Sequence, residues 1–123
     1  MKQVLLVFVG GGVGSALRYV VGTFLKTVSS GFPWGTFSVN VIGSLLIGIF
    51  MGIVLKNSSF SENQTLLLIT GFCGGFTTFS AFAYENQVFL KEGDLTNFFI
   101  YTLGSIGVGI MAVFLGLFIS KSF

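Results

Sequence analysis

Hydrophobic residues run along this chain in four long blocks, which short polar stretches separate. The blocks extend over about residues 4–25, 36–55, 64–90 and 96–120. A helix rises about 1.5 Å per residue, so about 20 apolar residues cross the hydrocarbon core of a bilayer. The pattern therefore predicts an all-α membrane protein, with a single domain of four transmembrane helices over residues 1–123 and both chain ends on the same side.

The third block differs from the others because residues of low helix propensity interrupt it. Residues 71–82 read Gly-Phe-Cys-Gly-Gly-Phe-Thr-Thr-Phe-Ser-Ala-Phe, and paired glycines and paired threonines are unfavourable in the middle of a continuous helix. Lipid cannot hydrogen-bond the backbone groups that a broken helix releases, so a break persists only against protein, water or an ion. We predict that the third helix is broken in mid-membrane near residues 74–78, and that the functional centre lies there.

Small residues recur at helical spacing in the other three blocks. Such ridges let membrane helices approach closely, and we predict close packing as the role of most of these residues. They are Gly10 and Gly14 in the first block, Ser44, Gly48 and Gly52 in the second, and Ser105, Gly109, Ala112 and Gly116 in the fourth.

Composition limits the functions that are open to the chain. Hydrophobic residues make up 53% of its 123 residues and charged residues only 8%, whereas soluble domains carry roughly 25% charged residues, so lipid is the expected solvent. With no histidine, one cysteine and four acids, the chain lacks the groups that most enzymes use, and we do not expect an enzyme. Its net charge of +2 is too small to indicate a nucleic-acid partner.

The basic residues are divided almost evenly between the two ends of the predicted bundle. Lys2, Lys56 and Lys121 fall on the side of the chain ends, whereas Lys26, Lys91 and, less far out, Arg18 fall on the other. Membrane orientation follows an imbalance of Lys and Arg, and here the count is three against two, or three against three with Arg18. We therefore predict insertion in both orientations and an antiparallel, dual-topology homodimer. The alternative is that a bias not visible in these residues fixes one orientation.

Two charged residues fall within the predicted spans. Arg18 lies at a depth where a charge is costly and usually paired or functional, but it is also near enough to the helix end to snorkel to the surface. Glu85, in the second half of the third block, is the only acid that could lie within the membrane, either in a wet vestibule or at the interface.

Several uncharged residues are candidates for contact with an ion. Asn40 stands in an apolar stretch, where its amide either bonds a neighbouring helix or donates to an anion. Phe79 and Phe82 are three residues apart and share a helix face. They either pack in the core or turn their partly positive ring edges toward an anion. The hydroxyls of Thr77, Thr78 and Ser80 lie beside them in the sequence.

Three sequence motifs, taken together, resemble the signature of the Fluc/CrcB family of fluoride channels. Residues 71–80 carry the most specific motif. Residues 10–19, reading Gly-Gly-Gly-Val-Gly-Ser-Ala-Leu-Arg-Tyr, and residues 35–37, reading Gly-Thr-Phe and followed by Asn40, carry the others. The length, the four spans and the balanced charge also match, so the resemblance covers essentially the whole chain.

The resemblance implies a passive channel in the bacterial inner membrane that exports cytoplasmic fluoride and so relieves its toxicity. It implies an antiparallel homodimer, embedded in the lipid bilayer as a multi-pass protein, with two pores per dimer. It also implies a structural Na⁺ at the centre of the dimer, held by the backbone carbonyls of Gly74 and Thr77 from each subunit. Carbonyls released at a helix break are suitable ligands for such an ion.

The resemblance also assigns roles around a fluoride pore. Phe79 and Phe82 match pore-lining phenylalanines, and Asn40 matches an asparagine associated with fluoride. Ser80 falls on the polar side of the same helix together with Thr78, Ser105 matches a pore-facing residue of the fourth helix less sharply, and Arg18 and Glu85 complete the set. The chain departs from the family at Ala81 and Ala83, where Thr and Ser are common, so part of the polar track is missing.

The main alternative is a small multidrug-type exporter coupled to protons, which is also a dual-topology dimer of four-helix subunits. Such a transporter needs an acid in mid-membrane in its first helix, where this chain has only Arg18. A structural protein without transport activity is a further alternative, but an unused helix break in lipid would be costly.

Overall fold

A computed structural model describes residues 1–26 and 31–123 of the chain, and within these residues the regular structure is entirely helical. Helix α1 spans Lys2–Lys26, α2 spans Trp34–Lys56 and α5 spans Leu95–Ser120. The third span consists of two helices: α3 over residues 62–76 and α4 over Phe79–Lys91. Each of the four spans is long and apolar enough to cross a membrane. Each begins one or two residues before its predicted start, the first three end one residue after their predicted ends, and the fourth ends at residue 120 as predicted.

Helix α3 changes its winding along its length. It begins as an α-helix over Glu62–Thr65, continues as a π-helix over Leu66–Cys73 and ends with an α-helical turn over Gly74–Phe76. Ser61 starts it with a capping box, in which the Ser61 hydroxyl accepts from the Gln64 amide and the Gln64 side chain accepts from the Ser61 amide. The π-helical stretch is wider than an α-helix, and such stretches often mark functional sites.

The break in the third span lies at Thr77 and Thr78. Thr77 (φ −85°, ψ 157°) and Thr78 (φ −148°, ψ 116°) are both extended, so the helical pattern stops there and restarts at Phe79. This confirms a broken third helix, but it narrows the predicted interval of 74–78, because Gly74 and Gly75 belong to the last turn of α3.

Glycines set the closest approaches between helices. A Cβ on Gly10 or Gly14 of α1 would overlap backbone atoms of α3, and a Cβ on Gly75 of α3 would overlap the backbone of Gly11. Between α2 and α5, Gly48 packs on Gly116 in the same way. The predicted role of these small residues in helix packing is therefore confirmed at these positions.

Apolar side chains cover the outside of the molecule. In the most apolar 18-residue window of each span, only 11–22% of the residues are buried. The exposed residues include large apolar groups such as Phe8, Phe24, Phe114 and Phe118. A surface of this kind is suited to contact with lipid or with another copy of the protein, and the chain is accordingly a multi-pass membrane protein.

Candidate functional site: the helix break and its cavities

The side-chain amide of Asn40 holds the break in place. From α2, its Nδ2 donates to the carbonyl of Thr78 at 3.0 Å, and its Oδ1 accepts from the Thr78 amide at 2.7 Å. One side chain therefore satisfies both backbone groups of a residue that has left the helix, as burial in a membrane requires. The predicted bond between helices is present, and within the described residues the second N–H of Asn40 makes no hydrogen bond.

The two threonines cap the helices on either side of the break. The Thr77 hydroxyl donates to the carbonyl of Cys73 at 2.9 Å, at the end of α3. The Thr78 hydroxyl accepts from the Ala81 amide at 3.2 Å and so caps the start of α4. It also lies 3.3 Å from the hydroxyl of Ser80. These local bonds explain why the helix stops at the threonines rather than at the glycines.

The same bonds release the carbonyls of Gly74 and Thr77. In a continuous helix, the Thr78 amide would donate to Gly74 and the Ala81 amide to Thr77. Here the first amide donates to Asn40 and the second to the Thr78 hydroxyl. Gly74 is also exposed at the surface of the protomer. Two carbonyl oxygens without their helical donors are chemically suited to hold a hard cation. Within the described residues, no group of three or more acids, histidines or cysteines is placed to do so.

Arg18 is paired at the end of α3. Its Nε donates to the carbonyl of Gly75 at 3.0 Å, and the hydroxyl of Ser15 lies 3.4 Å from the same oxygen. A guanidinium there complements the negative end of the helix dipole. Of the two interpretations of Arg18, the paired one is therefore present. Sequence reasoning did not single out Ser15, although it lies in the first-helix motif.

Glu85 accepts hydrogen bonds from two hydroxyls of other spans. Thr36 of α2 donates to its Oε2 and Tyr101 of α5 donates to its Oε1, both at 2.8 Å. The Tyr101 side chain is completely buried, which fixes the carboxylate between three spans. Sequence reasoning missed both partners. Thr36 stands in the Gly-Thr-Phe motif, but no local motif marks Tyr101.

Phe79 and Phe82 of α4 form a short aromatic row with Tyr101 of α5, on the side of the break where α4 begins. The ring centroids of Phe79 and Phe82 are 5.7 Å apart, and those of Phe82 and Tyr101 are 5.0 Å apart. The predicted shared face is confirmed. However, Phe79 is 78% exposed, so it is not a core residue of the single protomer.

Two cavities meet at Thr78, which contributes to the wall of both. The first, which we call the inner cavity, has a volume of about 270 Å³. It is lined by Asn40, Thr77, Thr78, Phe79, Phe82, Ser105 and Ile106. The second, which we call the outer cavity, has a volume of about 260 Å³. It is lined by residues that include Arg18, Lys26, Thr36, Thr78 and Ala81.

The predicted site residues divide among these cavities. Asn40, Thr78, Phe79, Phe82 and Ser105 lie together in the inner cavity, and Arg18 lies in the outer one. Glu85 lines a neighbouring cavity that it shares with Lys26 and Thr36. Ser80 is exposed and touches the group through the Thr78 hydroxyl.

The buried hydroxyl of Ser105 has no hydrogen-bond partner within the described residues. Of the two alanines that depart from the family, Ala81 lines the outer cavity, whereas Ala83 lies on the exposed surface.

The chemistry of the inner cavity suits a small desolvated anion. It offers an amide N–H from Asn40, hydroxyls from Thr78 and Ser105, and the edges of two phenyl rings. None of the residues that line it carries an ionised side chain, so an anion there would meet donors without being trapped by a full opposite charge.

The chain is similar to one protein family and to relatives that all carry the same name. The family described as "CrcB-like protein, Camphor Resistance (CrcB)" matches residues 5–117. A protein of Gloeothece citriformis named "Fluoride-specific ion channel FluC" is 48% identical, over 98% of this chain and 98% of its own length. Proteins of the same name from Rhizobium etli and Phocaeicola vulgatus are 46% and 43% identical, over 99% and 98% of this chain and 98% and 100% of their own lengths.

Proposed function

The chain belongs to the family of CrcB-like proteins, and from this premise we propose that it is a fluoride channel. Relatives that match it over nearly their whole length are named for fluoride-specific conduction. The observation that carries the proposal is the inner cavity, in which the break brings Asn40, Phe79 and Phe82 together. The name of these relatives denotes an ion channel, so the chain is a channel protein rather than an enzyme.

Fluoride selectivity follows from hydration in this proposal. Fluoride is small and strongly hydrated, so a pore must replace its water with several close donors. The Asn40 amide, the Thr78 and Ser105 hydroxyls and the phenyl edges of the inner cavity supply them. Chloride is larger, and a narrow passage between phenyl rings excludes it. Export is passive, and it lowers cytoplasmic fluoride across the bacterial inner membrane.

The working unit in this proposal is an antiparallel homodimer with two pores. Two features support it. Phe79 is 78% exposed on the protomer, although it lines the inner cavity, so a second copy is needed to close the wall. The Lys and Arg residues are also divided three against three between the two ends, which leaves neither orientation favoured.

A Na⁺ at the centre of the dimer is the remaining part of the proposal. The carbonyls of Gly74 and Thr77 would hold it, because both have lost their helical donors. When bound, such an ion supplies a positive potential that offsets the negative end of α3. Two copies of the chain would contribute four carbonyl oxygens.

The exporter alternative has less support. Apart from its first residue, Lys2, and its last, Lys26, α1 contains no charged residue except Arg18, so a proton-binding acid is absent from that helix. The acid in the third span, Glu85, accepts from two hydroxyls.

Fluoride efflux from liposomes that contain the purified protein tests the proposal. We expect efflux with the unmodified chain. We expect Phe79→Ile and Phe82→Ile to slow it by about tenfold, which corresponds to a barrier raised by about 1.4 kcal/mol. Phe114→Ile is the matched control, because Phe114 is 67% exposed on α5 and lines none of the cavities described above. Chloride flux equal to fluoride flux would refute the proposal.

A further inference from the structure

The net charge of the molecule is concentrated in one half. The half that contains the chain ends carries three basic side chains against one acid, which gives +2, and the other half carries three against three, which gives 0. The first set is Lys2, Lys56 and Lys121 with Glu62, and the second is Arg18, Lys26 and Lys91 with Glu85, Glu92 and Asp94. The two halves therefore have equal numbers of basic residues but different net charges.

Two of these lysines are held close together where α2 and α5 end. Lys56 is the last residue of α2, and its ammonium donates to the carbonyl of Lys121 at 2.9 Å and also to the backbone oxygen of Phe123. The ammonium of Lys121 lies 5.9 Å from the centre of the Phe118 ring. The first bond ties Lys56 to the backbone of the residue that carries the second cation.

A cavity of about 320 Å³ opens beside the two lysines. It is lined by Gly52, Leu55, Lys56, Leu117, Ser120 and Lys121. The Ser120 side chain packs directly against Gly52 of α2, whereas Leu55 is 77% exposed. The cavity thus has two cations at the membrane boundary and an apolar wall that continues into the membrane. No acid is among the residues that line it.

We propose that this cavity binds an anionic phospholipid. The headgroup phosphate lies between the ammonium groups of Lys56 and Lys121, and an acyl chain follows Leu55 and Leu117 along the groove between α2 and α5. Charge complementarity selects this occupant, because two lysines and no acidic side chain line the cavity, and the cavity adjoins a surface suited to lipid. A zwitterionic lipid carries a positive charge of its own, which it would bring close to the ammonium groups of the two lysines.

Native mass spectrometry of the purified full-length protein tests the site. The protein is released from detergent with added phosphatidylglycerol or, separately, phosphatidylcholine. We expect phosphatidylglycerol to remain bound to the unmodified chain. In Lys56→Gln/Lys121→Gln we expect binding to be roughly 25-fold weaker, since each lysine near an anionic headgroup contributes a factor of about 5.

Two matched variants separate the site from general effects of charge. Lys26→Gln/Lys91→Gln removes the same charge from the other half and should keep the lipid. Lys56→Arg/Lys121→Arg preserves the charge and should also keep it. The proposal fails if both glutamine pairs lose the lipid equally, if the Lys56/Lys121 glutamine pair keeps it, or if phosphatidylcholine binds as well. It also fails if millimolar inorganic phosphate displaces the lipid, because the cavity would then be a site for free phosphate.

Discussion

The amide of Asn40 supplies hydrogen bonds that the broken helix has lost. It pairs with both backbone groups of Thr78, and it leaves one N–H on the wall of the inner cavity. A structural bond and an ion contact are often alternatives for a membrane asparagine. In the proposed channel, the structural bond fixes the geometry in which an ion contact would become available, so stability and conduction would depend on the same side chain.

Asn40→Asp separates the donor from the acceptor at this position. The carboxylate still accepts from the Thr78 amide, but it offers no N–H to the Thr78 carbonyl and it places a negative charge in the inner cavity. We expect fluoride efflux to fall by about tenfold or more. The free energy of unfolding should fall by about 1–3 kcal/mol, because a buried carbonyl loses its donor.

Liposome efflux and thermal unfolding of the same samples measure the two effects. Asn57→Asp is the control, because Asn57 is exposed and its Oδ1 accepts from Ser59, which a carboxylate also does. Unchanged efflux and stability in Asn40→Asp would show that the Nδ2 donor has no role.

At the residue scale, contacts between residues close in the sequence could be predicted, but hydrogen-bond partners far apart in the sequence could not. Phe79 and Phe82 share a face because three residues separate them on one helix. The partner of Asn40 is 38 residues away, and Tyr101 reaches Glu85 from another span. Such pairs depend on how the helices pack, which propensity and spacing do not encode.

At the scale of the helices, glycines and threonines have different roles in the third span: the glycines pack and the threonines cap. The glycines of α3 remain helical, and at Gly71 and Gly75 a side chain would crowd the backbone of α1. The threonines end the helix, since their hydroxyls cap both sides of the break. From the sequence, the break could be assigned to residues 74–78 as a group. Low helix propensity alone does not decide between a glycine that packs and a threonine that caps.

The contact between α1 and α3 can be tested with one methyl group. A Cβ on Gly14 would overlap the carbonyl oxygen of Phe72, whereas a Cβ on Gly12 would meet nothing within 4 Å. We expect Gly14→Ala to lower the free energy of unfolding by about 1–3 kcal/mol, because backbone atoms have to move apart. Gly12→Ala should be neutral, or stabilising by up to about 1 kcal/mol, because alanine favours a helix.

Thermal unfolding in detergent compares the stability of the two variants. Liposome efflux shows whether a protein with a displaced α3 still conducts fluoride. Equal stability of Gly14→Ala and Gly12→Ala would mean that α1 and α3 are not in backbone contact.

On the scale of the whole molecule, parts of the proposed channel lie exposed on a single copy. Phe79 lines the inner cavity and yet is largely exposed, and Gly74 is exposed as well. From the sequence, four spans and an even distribution of Lys and Arg could be predicted. The exposure of Phe79 could not be predicted, because it depends on which face of α4 the rest of the chain covers. An inverted partner that covers this face would complete both the wall and the cation site.

The proposed inverted pairing predicts that orientation controls activity. Asn57→Lys/Ser58→Lys changes the Lys and Arg count to five against three, and Lys2→Gln/Glu92→Lys changes it to two against four. Each variant should insert in one orientation, opposite to the other. Cells that express either variant alone should lose fluoride resistance, because no inverted pair can form, and cells that express both should regain it.

Accessibility of a terminal tag reports the orientations, and Asn57→Gln/Ser58→Thr is the control that leaves the charge unchanged. Full resistance in cells that hold one variant in a single orientation would rule out the antiparallel dimer.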